Sequence, residues 1–383
     1  MTADLPTYRV ATIPGDGVGP EVVGAARRVV DAAASRFAFA IDWSEHLAGG
    51  AAIDAYGVSI RDADVAACGA ADAILLGAVG GPKWSDPSAT VRPEQALFAL
   101  RGGLGLFANL RPVKVHPALQ GASPLRAELL AGVDMMIVRE LTGGVYFGER
   151  TEPSGEPGAR TALDTLPYAE YEIARIVRLA FELARTRRGR VTQVDKANVL
   201  ATSRLWRRVT DEIALDYPDV RLDHQLVDSC AMLLIRRPAA FDVIVTENLF
   251  GDILSDEAAV LAGSLGVLPS ASLGARRTEH GTFGLYEPIH GSAPDIADRD
   301  IADPIGTILS AAMLLRTSLG RSDAADAVEA AVGGALDAGW RTADLADPTD
   351  QADGLVVVGT TAFATAVIEA LQPVFQATAP AVA

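Results

Sequence analysis

Short β-branched and apolar segments alternate with amphipathic helical segments along most of this 383-residue chain. Strand patterns occupy residues 8–13, 73–77, 106–110, 133–139, 191–195 and 241–246. The strongest helical patterns occupy residues 171–188, 305–319 and 324–339. Ser203 is placed to cap a further helix. Because parallel strands need crossovers between them, this alternation predicts an α/β fold with a largely parallel sheet.

The pattern of predicted strands, helices and loops changes near residue 105 and again near residue 265. Between these points lies TGGVYFGER, a Gly- and aromatic-rich segment typical of a hairpin arm, followed by a loop rich in Pro and Gly. We predict that residues 1–105 and 264–383 form one domain. Residues 106–263 would then form a second domain inserted into the first.

Acidic residues outnumber basic ones, with 49 Asp and Glu against 33 Lys and Arg and a net charge of −16. Such a charge repels nucleic acids and anionic membranes, so neither is expected as a partner. The two cysteines, Cys68 and Cys230, favour reduced thiols in a cytoplasmic protein. No apolar run approaches the length of a membrane span, and MTADLPTYRV lacks the pattern of a signal peptide.

Asp252 and Asp256 are four residues apart, on one face of a predicted helix with apolar neighbours. Two carboxylates in such surroundings repel each other, and Mg²⁺ or Mn²⁺ would relieve that repulsion. The alternative interpretation is a solvated face near a helix start, where acids are favoured. Asp228 is a third acid beside apolar residues, and its alternative role is a helix cap.

Three arginines follow apolar residues at the ends of predicted elements: Arg101, Arg111 and Arg139. Guanidinium groups bind carboxylates in a bidentate manner, so three that converge would suit a substrate with two carboxylates. Each arginine alone is also typical of a solvated residue or a structural ion pair. Lys196 and Tyr146 are candidate proton-transfer groups, although each alone is also typical of a surface lysine or a packed tyrosine.

Two glycine-containing segments resemble ligand loops. GDGVG follows the first strand and imitates a dinucleotide fingerprint, with Asp42 beyond it, but Pro20 occupies the position of the third glycine. Proline there removes an N–H and crowds the approach of a pyrophosphate, which argues against an ordinary Rossmann turn. LYEPIHGSAPDIAD could surround a ligand with backbone N–H groups, and Asp295 could accept hydrogen bonds from a ribose.

From about residue 8 to residue 371, the order of nine segments resembles the isocitrate/isopropylmalate dehydrogenase family of β-decarboxylating dehydrogenases. The segments are IPGDGVGPEV, LLGAVGGPKW, RPEQALFALR, LFANLRP, IVRELTGGVYFGE, VDKANVL, FGDILSDEA, GSLGVLPSASL and EPIHGSAPDIA. The resemblance implies a two-domain α/β subunit with a large mixed, mostly parallel sheet flanked by helices, and not a Rossmann fold. The first domain would lie on the cofactor side, the second would form a homodimer, and the active site would lie in the cleft between them.

The resemblance also implies roles for individual residues. NAD would be bound by His290, Gly291, Ser292, Ala293, Pro294, Asp295, Ile296 and Asp303. The carboxylates of a small-molecule substrate would be held by Arg101, Arg111 and Arg139. Mg²⁺ or Mn²⁺ would be bound by Asp252, Asp256 and, from the other subunit, Asp228, which is also assigned to the substrate. Proton transfer would involve Tyr146 and, from the other subunit, Lys196.

The implied activity is NAD-dependent oxidative decarboxylation of a 2-hydroxy acid. Leu97, Phe98 and Val199 are apolar and suit an isopropyl group, so the expected substrate is (2R,3S)-3-isopropylmalate in leucine biosynthesis. The alternatives are tartrate, malate or homoisocitrate as substrate, or a non-catalytic ligand-binding relative. Asp295 favours NAD over NADP, because it would repel a 2′-phosphate. Asp303 departs from the asparagine usual in close relatives, and an ionised carboxylate cannot donate a hydrogen bond.

Overall fold

A computed structural model describes residues 5–86, 89–346 and 354–371. Within these residues the chain folds into two compact units. The first contains the chain up to Ala99, residues 264–269 and the chain from Arg276 onward. The second contains Leu100–Gly263 and Ser270–Ala275. The two units therefore interleave along the sequence.

Strands and helices alternate through most of the described chain. The strands are β1 (Thr7–Gly15), β2 (Ala40–Glu45), β3 (Ala73–Ala78), β4 (Leu106–Lys114), β5 (Asp134–Glu140), β6 (Arg150–Ser154), β7 (Thr161–Asp164), β8 (Arg190–Asp195), β9 (Arg221–Leu226), β10 (Val243–Thr246), β11 (Pro269–Arg277), β12 (Thr282–Pro288), β13 (Trp340–Arg341) and β14 (Val356–Val357). The helices are α1 (Gly19–Arg36), α2 (Gly50–Tyr56), α3 (Asp62–Ala70), α4 (Gln95–Gly103), α5 (Ala127–Leu130), α6 (Glu170–Arg185), α7 (Ala201–Ala214), α8 (Val227–Arg236), α9 (Asn248–Ala259), α10 (Ile305–Thr317), α11 (Ser322–Asp337) and α12 (Thr360–Ala370).

The first unit contains four parallel strands in the order β2-β1-β3-β12. Helices α1 and α10 pack on these strands, and α11 and α12 pack on the two helices. The side chains of β3 are buried throughout, as is typical of an interior strand of a parallel sheet. Val22, Val29 and Ala33 lie on the buried face of α1, as its amphipathic pattern predicts.

The second unit contains six strands in the order β11-β4-β5-β10-β8-β9. β4 pairs antiparallel with β11 and β5, whereas β5, β10, β8 and β9 are parallel. Ile137, Ile244 and Leu254 belong to the apolar core of this unit. The prediction of an α/β fold with a mixed, mostly parallel arrangement of strands is therefore confirmed.

Two local predictions are wrong. The segment Gly144–Tyr146 forms a short 3-10 turn, and the two-stranded hairpin begins only at β6 and returns through β7. Ser203 does not cap α7, whose N-cap is Leu200 without a side-chain hydrogen bond. The Ser203 hydroxyl instead accepts a hydrogen bond from the backbone N–H of Lys196 at 3.0 Å. A tertiary partner thus takes the hydroxyl that local sequence assigns to a cap.

Cys68 and Cys230 are buried free thiols, as expected from the sequence. Burial raises the pKa of each thiol to about 12, which keeps both protonated and unreactive near neutral pH. Among the described helices, none combines the length and apolar character needed to cross a bilayer.

The GDGVG segment holds neighbouring loops in place. The Asp16 carboxylate is buried and accepts hydrogen bonds from the backbone N–H groups of Gly50, Ala51 and Gly80 at 2.7–2.8 Å. Gly17 has a φ of 59°, and a Cβ there would lie 1.9 Å from the carbonyl oxygen of Ser292. The missing side chain therefore lets the loop around Ser292 approach this turn closely.

We expect Gly17→Ala to destabilise the protein by about 2 kcal/mol or more, because the left-handed backbone and the close carbonyl both oppose a methyl group. Gly24→Ala is the matched control, since Gly24 lies in α1 and a Cβ there would be more than 4 Å from its neighbours in the described chain. There the same change should stabilise the helix by about 0.5–1 kcal/mol. Thermal unfolding measures both, and equal melting temperatures would contradict the expected role of Gly17.

Candidate active site

Three parallel strands of the second unit end at the same edge of its sheet, and a polar or charged residue lies at each end. Arg139 is the penultimate residue of β5, Lys196 follows β8, and Asn248 opens α9 shortly after β10. Ligands of α/β proteins bind outside the carboxyl ends of parallel strands. This edge is therefore the natural position for a site in the second unit.

Arg139 is held from two sides. Its side chain is 6% exposed, and Nε and Nη2 donate to Asn248 Oδ1 at 3.0 and 2.8 Å. Nη1 donates to Asp252 Oδ1. Gly251 makes room for this arrangement, because a Cβ there would lie 2.6 Å from Arg139 Cγ. The guanidinium is thereby fixed in one orientation before any ligand binds.

The second arginine, Arg111, lies on β4 and is fixed in a similar way. Its Nε donates to Asn109 Oδ1 at 2.9 Å. Its Nη1 donates to Ser255 Oγ at 2.7 Å and to Asp256 Oδ1 at 2.9 Å. Arg139 and Arg111 therefore contact successive turns of α9.

Positive charge is concentrated around Arg139. Burial lowers the pKa of Arg139 to about 10, while Asp252 opposes that shift and the charges of Arg111 and Arg101 add to it. Repulsion among three guanidinium groups is unfavourable unless anions balance it. The charges of Arg101 and Arg111 thus act on Arg139, and the cluster suits an anion with more than one carboxylate.

Tyr146 lies at the end of its 3-10 turn and donates its hydroxyl to Asp252 Oδ2 at 2.8 Å. Burial and then the hydrogen bond to Asp252 raise the pKa of Tyr146 to about 12. The phenol therefore stays protonated near neutral pH and can act as a proton donor.

Asp252 and Asp256 are one turn apart on α9, as their spacing predicts. The helix start that places them is fixed by buried Glu247, whose carboxylate accepts from the N–H groups of Leu249 and Phe250. Carboxylate oxygens are the ligands that hard divalent cations prefer, so these residues fit Mg²⁺ or Mn²⁺ in their chemistry. Among the described residues, however, no three acidic, histidine or cysteine side chains come together to hold a metal.

Lys196 and Asp228 form a separate pair. Lys196 Nζ donates to Asp228 Oδ1 at 2.6 Å, and this hydrogen bond holds the pKa of Asp228 below its usual range. Asp228 lies in the first turn of α8, whose N-cap is Leu226, so the capping alternative for Asp228 is wrong. Within one chain, Asp228 therefore does not join Asp252 and Asp256 as a third metal ligand.

The loop at residues 290–303 belongs to the first unit and is attached to the start of α1. Val18 donates its N–H to the carbonyl oxygen of Ser292 at 2.8 Å. Ala293 and Ile296 pack against the apolar cluster around Val18 and Val22. Ala293 has a φ of 37°, a conformation that costs a residue with a side chain about 1–2 kcal/mol. Such strain, kept in place by packing, is common at ligand-binding loops.

Two polar side chains in this region have buried atoms without protein partners. His290 Nε2 and Asp303 Oδ2 are both buried and make no hydrogen bond in the described structure. Burial lowers the pKa of His290, so its imidazole is neutral near pH 7. Burial, and next the charge of Asp344, raises the pKa of Asp303. A raised pKa favours the protonated carboxyl, which can donate a hydrogen bond, whereas the ionised form expected from the sequence can only accept one.

The apolar residues expected to contact the substrate are not enclosed by the described chain. Phe98 and Val199 are exposed, and Leu97 is half-buried. Asp295 and Pro294, on the loop expected to bind the cofactor, are also exposed. These residues are accessible to a ligand or to another chain.

Sequence reasoning missed the polar residues that hold the arginines. Asn109, Asn248 and Ser255 are almost completely buried. The contact of Asn109 with Arg111 could have been predicted, because residues two apart on a strand lie on the same face and Arg111 follows Asn109 by two residues. Nothing in the local pattern indicates that Asn248 contacts Arg139, which is 109 residues away.

Comparisons with known proteins agree with this architecture. The family model described as isocitrate/isopropylmalate dehydrogenase matches residues 9–367. A 3-isopropylmalate dehydrogenase from Anaeromyxobacter dehalogenans is 58% identical over 337 residues, covering 88% of this chain and 94% of that protein. A protein of the same name from Gloeobacter violaceus is 54% identical over 356 residues, covering 92% and 96%.

Solved structures resemble the chain over nearly its whole length. The crystal structure of isocitrate dehydrogenase from Methylococcus capsulatus has a TM-score of 0.81 and 34% identity, covering 95% of this chain and 99% of that one. The apo β-decarboxylating dehydrogenase from Thermococcus kodakarensis has a TM-score of 0.75 and 36% identity, covering 95% and 96%.

Proposed function

The chain belongs to the isocitrate/isopropylmalate dehydrogenase family, and we propose that it is an NAD-dependent 3-isopropylmalate dehydrogenase. It would oxidise and decarboxylate (2R,3S)-3-isopropylmalate to 4-methyl-2-oxopentanoate and CO₂ in leucine biosynthesis. The observation that carries the proposal is the meeting of Arg111, Arg139 and Tyr146 with the two carboxylates of α9. A dianionic hydroxy acid and a divalent cation are complementary to these groups.

The arginines bind and orient the substrate in this proposal. Arg101, Arg111 and Arg139 would grip its two carboxylates, because planar guanidinium groups match carboxylate geometry. Asp252 and Asp256 would hold Mg²⁺ or Mn²⁺. The bound cation would supply Lewis-acid polarisation of the substrate's hydroxyl and carbonyl oxygens. The fixed orientation of Arg139 supports this role, since a preorganised site does not have to reorganise during the reaction.

Two groups would transfer protons. Lys196, in its neutral form, would accept the C2 hydroxyl proton. Bound NAD would supply the hydride acceptor for the oxidation of C2. The resulting ketone is β to a carboxylate, so CO₂ departs and its bonding electrons form the enolate. Tyr146 would protonate the enolate carbon, and its raised pKa supports this, because the phenol keeps its proton until the acceptor forms.

NAD would lie on residues 290–296 and near Asp303. The partnerless buried atoms of His290 and Asp303 support this, because a ligand would satisfy hydrogen-bonding groups that the protein leaves unpaired. Exposed Asp295 would accept hydrogen bonds from the adenosine ribose and repel the 2′-phosphate of NADP.

A homodimer would complete the site. Met232 on α8 and Ile253 on α9 are 61% and 58% exposed beside predicted metal ligands. The β6–β7 hairpin is exposed along both strands, and a lone two-stranded hairpin is marginally stable in water. A partner would cover these surfaces and supply its own Lys196 and Asp228. Buried thiols at Cys68 and Cys230 support a reducing, cytoplasmic location.

The deciding experiment measures initial rates of NADH formation from 3-isopropylmalate, tartrate, malate and homoisocitrate. Each substrate is tested with NAD and NADP, with Mg²⁺ or Mn²⁺ and with a chelator. We expect turnover with 3-isopropylmalate, NAD and a divalent cation, and its loss with the chelator. Good turnover of tartrate without turnover of 3-isopropylmalate would overturn the substrate, and binding of 3-isopropylmalate without NADH would indicate a binding protein.

A further inference from the structure

Two buried asparagines make the same kind of contact in different parts of the second unit. Asn109 lies on β4 and Asn248 lies at the start of α9, and both are at most 1% exposed. Each uses its Oδ1 to accept from the Nε of an arginine, Asn109 from Arg111 and Asn248 from Arg139. The repetition indicates a shared requirement of the two arginines.

Each asparagine is itself fixed by its amide nitrogen. Asn109 Nδ2 donates to the hydroxyls of Ser270 and Ser272 at 2.9 and 3.3 Å and to the carbonyl oxygen of Ala271 at 3.4 Å. Asn248 Nδ2 donates to the carbonyl oxygen of Gly143 at 3.0 Å, and its backbone N–H donates to Tyr168 Oη at 3.0 Å. These contacts determine which amide atom faces the arginine, so the acceptor oxygen points to the guanidinium in both cases.

We propose that Asn109 and Asn248 are positioning residues, which orient Arg111 and Arg139 for an anionic substrate without placing a further negative charge beside either guanidinium. This rests on the proposed function, in which the two arginines bind the substrate's carboxylates. An aspartate would make the same bond with a full negative charge next to the guanidinium. It would then compete with the substrate for that charge.

The choice of a neutral acceptor matters because the outer faces of the same arginines already meet carboxylates. Arg139 pairs with Asp252, and Arg111 pairs with Asp256. With a second carboxylate beside it, either arginine and its two carboxylates would carry a net negative charge. That charge would repel a dianionic substrate. The amide oxygen fixes the orientation of each arginine without adding to that repulsion.

Asn109→Asp is the sharpest test, because two of the three acceptors of Asn109 Nδ2 are hydroxyls, which can also donate, and the carbonyl oxygen of Ala271 lies farther away at 3.4 Å. We expect the KM for 3-isopropylmalate to rise by about tenfold to a hundredfold, with the KM for NAD nearly unchanged. Asn248→Asp should show the same split, but its new oxygen faces the carbonyl of Gly143 and will also lower the melting temperature. Asn109→Ala removes the acceptor of the Arg111 Nε hydrogen bond without adding charge. We expect a smaller rise in the KM for 3-isopropylmalate, of about tenfold or less.

Gln193→Glu is the matched control. Gln193 is a fully buried amide on β8 whose Oε1 contacts His224 Nδ1 at 2.7 Å, and it contacts neither Arg111 nor Arg139. We expect a lower melting temperature and an unchanged KM for 3-isopropylmalate. A purely structural role for the two asparagines would give all four variants this result, and unchanged KM in both aspartate variants would overturn the inference. Failure of the wild-type enzyme to use 3-isopropylmalate would instead overturn the proposed function.

Discussion

Lys196→Met is expected to reduce turnover of 3-isopropylmalate by about 10³-fold while leaving a folded protein, because methionine keeps the unbranched side chain but cannot accept a proton. The backbone of Lys196 follows β8 and donates to Ser203 Oγ, a contact that the substitution preserves. The Nζ contact with Asp228 is lost, but Asp228 is 62% exposed, so the pair contributes little to stability. Initial rates and thermal unfolding together measure the effect.

Lys114→Met controls for the loss of a lysine. Lys114 is exposed at the end of β4 in the same unit. We expect this variant to keep wild-type turnover and a similar melting temperature. If Lys196→Met also retained wild-type turnover, Lys196 would have no role in proton transfer, and another group would have to be the base.

Asp252→Asn should lower turnover by about 10²–10³-fold, because a neutral amide replaces a carboxylate that faces Arg139, Tyr146 and the proposed cation. The shape of the side chain is preserved, so packing on α9 should change little. A readout that does not depend on turnover is Mn²⁺ affinity, measured by the electron paramagnetic resonance signal of the free ion. We expect that affinity to fall by about tenfold or more.

Asp219→Asn is the matched control, because Asp219 also pairs with an arginine, Arg185, but at an exposed position. Neither turnover nor Mn²⁺ affinity should change in this variant. Wild-type Mn²⁺ affinity in Asp252→Asn would show that the cation does not bind at α9. If turnover fell while the Mn²⁺ affinity stayed unchanged, Asp252 would act only through its contacts with Arg139 and Tyr146.

Local pattern was sufficient to predict β1, β3, β4, β5, β8 and β10, because burial selects apolar side chains at the period of each element. It did not predict β2, β9, β11 and β12. The strand at residues 191–195 extends by only one residue in β8, and the helix predicted from residue 305 begins there in α10. Errors occurred where a long-range partner decides the structure. Ser203 binds the backbone of Lys196 instead of capping its helix, and that contact crosses seven residues and a turn.

The site shows the same limit. The i, i+4 spacing of Asp252 and Asp256 correctly predicts that they share a helical face, whereas their pairing with Arg139 and Arg111 depends on how β4, β5 and α9 pack. The raised pKa of Asp303 also could not be predicted from sequence, because it depends on burial in the fold and on the nearby charge of Asp344. Roles that need a second subunit, such as those of Lys196 and Asp228, stay predictions from the family resemblance.

The pairing of Arg111 with Asp256 and of Arg139 with Asp252 has a consequence for the order in which ligands bind. Before ligands arrive, the opposite charges compensate each other within the protein. A dicarboxylate that takes the arginines leaves two anionic groups uncompensated, and a divalent cation that takes the aspartates leaves two cationic groups uncompensated. Binding of either ligand therefore raises the affinity of the protein for the other. The dicarboxylate and the cation should bind cooperatively, and each should bind weakly in the absence of the other.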